Sequence, residues 1–102
     1  MPSRSFDELV RRALDSLPPE IAARLDNVAV VVEDEHPDDP DLFGLFQEEP
    51  YMPARIAIYR VPLEESFSDP AELEREIRIT VLHELGHYFG LDEERIQELG
   101  YE

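Results

Sequence analysis

The chain has 102 residues, 42% of them hydrophobic, and sets 25 acidic against nine basic side chains for a formal net charge of -16. That length suits one domain, residues 1–102, with a single core. The charge repels phosphate backbones and so argues against nucleic-acid partners, while it attracts basic peptides or protein surfaces. Cysteine does not occur, which rules out disulfides and thiolate metal sites, and every basic residue is arginine. No apolar run approaches the ~18 residues of a membrane span. The N-terminus lacks the basic-then-apolar layout of a signal peptide. The expected location is cytoplasmic, or else the chain is a mature form without its leader.

Residues 3 to 16 carry Phe6, Leu9, Val10, Ala13 and Leu14 at helical spacing and predict an amphipathic helix. Pro18 and Pro19 break it, and a shorter helix follows from 19 to 25. Residues 27 to 33 hold the β-branched run Val28-Ala29-Val30-Val31-Val32, a strand. Because the run is nearly continuous, the expectation is cover on both faces. Residues 33 to 41 contain two prolines and six acids and read as a loop. His36 within it is expected to be a solvated histidine, and the spacing of the acids does not match a calcium loop. Residues 42 to 47 form a short strand or bulged edge, with Gly44 at a bulge or close-approach point. Residues 55 to 60 form a third strand, Ile56, Ile58 and Arg60 on one side and Ala57 and Tyr59 on the other. Residues 61 to 70 read as a connection with two prolines.

A long helix is predicted from about 70 to 89. Ser68-Asp69-Pro70 supplies an N-cap and a first-turn proline, and Glu72, Glu74 and Glu76 suit the positive end of the helix dipole. Leu73, Ile77, Val81, Leu85 and Tyr88 recur at helical spacing and define a buried stripe. A last helix from 92 to 99 ends at Gly100. No internal repeat or linker suggests a second domain. The order is that of an α+β fold, a small three- to four-stranded mixed sheet packed on the long helix, with helices at both ends.

Inside the long helix stands His83-Glu84-Leu85-Gly86-His87. Positions i and i+4 of a helix project from one face, so two imidazoles at this spacing can grip one metal ion. Glu84 points partly off that face and can reach a metal-bound water as general base. Gly90 ends the helix and turns the chain. In the extended pattern H-E-x-x-H-x-x-G-x-x-H the third ligand falls three residues past the glycine, which here is Glu93. A carboxylate can replace imidazole on zinc. Asp92 and Glu94 are neighbours that could serve instead, although Asp92 also stands where the next helix needs its N-cap.

Residues Thr80 to Glu94 and Glu98-Leu99-Gly100-Tyr101, with weaker matches at 27–33, 42–46 and 56–60, resemble the small single-domain zincin-like metallopeptidases of bacteria, the minimal metalloproteases. The resemblance implies a zincin-like core in which His83 and His87 hold Zn2+ and a carboxylate just past Gly90, Glu93 by register, completes the site. It implies peptide-bond hydrolysis, with a zinc-bound water of pKa ~7 and Glu84 moving the proton to the leaving amine. Tyr59, Tyr88 and Tyr101 are the candidates for stabilising the oxyanion. A sheet edge beside the motif helix is a natural place for an extended peptide to add as a strand. About a dozen residues follow the motif helix, where larger zincins carry a second subdomain. The alternative is therefore a non-catalytic or latent metal-binding or interaction domain with a degenerate zincin fold. A metal-dependent ribonuclease is a third reading, opposed by the charge.

Overall fold

The computed structural model describes residues 3–88 and Glu94; for residues 3–5 and His87 it describes the backbone alone. In chain order it contains α1 (Ser3–Asp15), α2 (Pro19–Arg24), a 3-10 turn (Leu25–Asn27), β1 (Val28–Glu33), β2 (Gly44–Glu49), β3 (Met52–Tyr59), α3 (Arg60–Ser66) and α4 (Pro70–Tyr88). This is the expected α+β layout, with a three-stranded mixed sheet of order β1-β3-β2, β1 parallel and β2 antiparallel to β3. Of the terminal helix expected at 92–99, only Glu94 is among the described residues; it is helical and exposed. No helix among the described residues is long and apolar enough to cross a membrane.

The core lies between the sheet and a layer made by α1 and α4. Phe6, Leu9, Val10 and Ala13 of α1 meet Leu73, Ile77, Val81, Leu82 and Leu85 of α4, all buried, over Ile56 and Ile58 of β3. Each of these side chains larger than alanine contributes about 1.5–3 kcal/mol when fully buried. The i, i+4 stripe on α4 thus does what its spacing predicts, except at its last member. Tyr88 is 43% exposed and lays its ring on Phe46 instead, with centroids 4.3 Å apart and planes 22° from parallel. Helix α4 begins as the sequence indicates. The Asp69 carboxylate accepts the Glu72 N–H at 3.1 Å, its carbonyl accepts the Leu73 N–H at 2.8 Å, and Pro70 occupies the first helical position.

Two expectations are corrected. Strand β1 is not covered on both faces: none of its residues is buried, and Ala29 and Val32 are exposed. It is an edge strand packed on one side through Val28 and Val30, and β-branched residues suit a half-buried pleated surface as well as a buried one. Within residues 61–70, read as connection, 61–66 belong to helix α3, which buries Pro62 and Leu63. Pro62 is in the first turn, where its missing N–H breaks no helical bond. Arg60 therefore opens a helix instead of closing a strand. Its guanidinium bonds Asp34 at 3.0 Å and Glu64 at 2.7 Å, and those partners, Asp34 foremost, hold it protonated above the usual arginine range.

Candidate metal centre and cavity

Helix α4 turns its second face to a cavity of about 450 Å³. Glu76, Ile79, Thr80, His83 and Glu84 form the helical wall, and Asp39, Asp41, Leu42, Phe43 and Gly44 form the opposite wall. Positions 76, 80, 83 and 84 share a face because they recur at i, i+4, i+7 and i+8. The loop wall is folded on itself: Asp39 Oδ1 accepts the Asp41 N–H at 3.2 Å, and the Asp39 carbonyl accepts the Leu42 N–H at 3.2 Å.

Gly44 is what brings β2 against α4. A Cβ there would lie 2.5 Å from the Thr80 methyl and 3.2 Å from the Ala57 carbonyl oxygen, so this glycine serves close approach. The register irregularity of the strand lies elsewhere, between Gln47 and Glu49. Thr80 is itself buried and donates its hydroxyl to the Glu76 carbonyl at 2.8 Å.

His83 and Glu84 are half-buried. The His83 Nδ1 lies 3.3 Å from the Ile79 carbonyl. With Nδ1–H as donor, the lone pair falls on Nε2, the arrangement of a metal-binding imidazole oriented through its other nitrogen. Glu84 Oε1 accepts the backbone N–H of Phe46 in β2 at 2.9 Å. His87 lies one turn further along the same helix; its side chain, together with Gly90, Asp92 and Glu93, lies outside the described residues. Among the described residues no three His, Cys, Asp or Glu side chains converge as a metal site. The described part of the centre is thus one histidine, its Nδ1 within reach of a backbone carbonyl, beside one carboxylate, and both are side chains of the kind that ligate or serve a divalent metal.

The tyrosines proposed for the oxyanion divide differently. Tyr59 does not line the cavity: it alternates away from Ile56 and Ile58, is 1% exposed, and meets the His36 ring edge-on at 5.8 Å. Burial, and next the charge of Glu33, raise its pKa above the usual tyrosine range, partly offset by Arg55. Tyr88 packs on Phe46 and does not line the cavity either, and Tyr101 lies outside the described residues. His36, expected to be solvated, is half-buried against Tyr59, and its Nδ1 accepts the Asp38 N–H at 3.0 Å. Sequence reasoning missed two features. The acidic wall of Asp39, Asp41 and Glu76 was foreshadowed at Glu76 by its helical spacing to Glu84. The Phe46–Glu84 bond left no trace, because a backbone donor has no residue type.

A family model described as zincin-like metallopeptidase matches residues 25–101. The chain belongs to that family. The match begins after α2, so α1, which supplies one side of the core, precedes it. No curated protein matches the chain.

Proposed function

We propose that the protein is a zinc-dependent peptidase in which His83, His87 and a carboxylate past Gly90, by register Glu93, hold the metal and Glu84 is the general base. The observation that carries this reading is the placement of His83 and Glu84 side by side on the wall of one cavity, on the helix of the family-matched segment. Zinc, when bound, supplies Lewis-acid polarisation and a water acidic near neutral pH. Glu84 takes a proton from the attacking water and delivers it to the leaving amine. His83 keeps its ring fixed through the Ile79 carbonyl, and β2 offers an edge along which an extended peptide aligns.

The preferred substrate is a peptide or protein with basic side chains. Asp39, Asp41, Glu76 and Glu84 line the cavity with no arginine among its lining residues, and opposite charge raises local substrate concentration. A cysteine-free chain suits a reducing cytoplasm as its workplace.

The test is cleavage of a peptide library by zinc-loaded protein, with and without chelator. Chelator-sensitive cleavage enriched beside arginine or lysine supports the reading. One zinc per chain with no cleavage of any peptide contradicts it and leaves a metal-binding module.

A further inference from the structure

We infer that the backbone amide of Phe46 is a positioning group for Glu84, an inference that rests on the base role proposed above. The ladder of β2 against β3 decides where that amide points. Tyr59 donates its N–H to the Phe43 carbonyl at 2.9 Å, so Phe43 and Tyr59 form a hydrogen-bonded pair. Antiparallel pairs alternate, so Leu45–Ala57 and Gln47–Arg55 also face the ladder, and Gly44–Ile58 and Phe46–Ile56 do not. The Phe46 N–H therefore leaves the free edge of the sheet, and Glu84 Oε1 receives it at 2.9 Å.

A second contact fixes the same residue. Tyr88, one helical turn beyond Glu84, stacks its ring on the Phe46 ring. Phe46 is thus gripped by α4 at two successive positions of one face, backbone by Glu84 and ring by Tyr88. Gly44, two residues before, allows the approach by leaving room for the Thr80 methyl. A glutamate without such a partner samples several rotamers. Tied through Oε1, Glu84 presents Oε2 to the water in one orientation, which is what a base needs for proton transfer. The same bond removes the Phe46 N–H from the donors that β2 offers an added strand.

The experiment compares Phe46→Pro with Phe46→Ala in zinc-loaded protein. Both lose the ring, and only proline loses the donor. Because that donor is outside the ladder, an edge proline leaves the β2–β3 bonds in place. The expected result is a kcat roughly ten- to hundredfold lower for Phe46→Pro than for Phe46→Ala, with KM alike in the two. Amide exchange gives a readout independent of turnover. The Phe46 amide exchanges slowly in the wild type and in Glu84→Gln, which keeps an acceptor oxygen, and fast in Glu84→Ala. Equal kcat in the two Phe46 variants overturns the positioning role alone. So does an amide that Glu84→Ala leaves protected, a measurement that decides the matter if Phe46→Pro fails to fold. A wild-type protein that cleaves nothing overturns the peptidase reading and this role together.

Discussion

Helix α4 has two faces that do different work. One face, Leu73, Ile77, Val81 and Leu85, is at most 1% exposed and packs on α1 and the sheet. The other, Glu76, Thr80, His83 and Glu84, lines a cavity. The apolar face is held by dispersion and area, which tolerate no loss of volume but have no orientation. The polar face is held by a few directed bonds: His83 to the Ile79 carbonyl, Glu84 to the Phe46 amide and Thr80 to the Glu76 carbonyl. Stability should therefore be lost from one face and chemistry from the other, although residues adjacent in sequence, such as Glu84 and Leu85, belong to different faces.

That division can be broken by substitution. The largest effect is expected for Glu84→Gln, which keeps an oxygen to accept the Phe46 N–H but cannot take a proton; peptide hydrolysis should fall by roughly 10²–10⁴, with the denaturation midpoint unchanged. Next comes its neighbour: Leu85→Ala should cost about 2–5 kcal/mol in urea unfolding, because a fully buried leucine leaves a cavity. Equal stability losses for the two variants would contradict the division.

Gly44→Ala marks where the division stops, since the added methyl collides with Thr80, the buried member of the polar face. A cost of about 1–3 kcal/mol is expected for such overpacking, largely recovered by Thr80→Ser, which removes the offending methyl and keeps the hydroxyl. The smallest effect concerns the opposite side of the sheet. The Tyr59 phenol ionises at higher pH in the folded than in the unfolded chain, through burial first and Glu33 second. Its contribution is fully present below about pH 10, the unfolded value, and is lost as pH rises through the folded one. Tyr59→Phe should flatten the fall of stability in alkaline titration and leave neutral-pH zinc binding untouched.

Much of this is legible in the amino-acid sequence. The stripe on α4, its Asp69 cap, the strands and the close approach at Gly44 each follow from periodicity or from a residue with restricted chemistry. The failures have physical reasons. Helix α3 was hidden because Pro62 reads as a breaker, and only the position of the helix start shows that it sits in a first turn. The open face of β1 was hidden because the same valines suit a half-exposed strand and a buried one; the exposure of Ala29 and Val32 decides it. Within the site, His83 and Glu84 were visible from their spacing. The hold on Glu84 was not, because it comes from a backbone amide 38 residues away in sequence.

The account stands most directly on the polar face of α4 holding a metal through His83. Zinc stoichiometry by native mass spectrometry, read beside zinc-free urea unfolding, tests it in wild type and His83→Ala. The account predicts one zinc per wild-type chain, none in His83→Ala, and unfolding midpoints of the two zinc-free proteins that coincide. Full zinc retention by His83→Ala would contradict it.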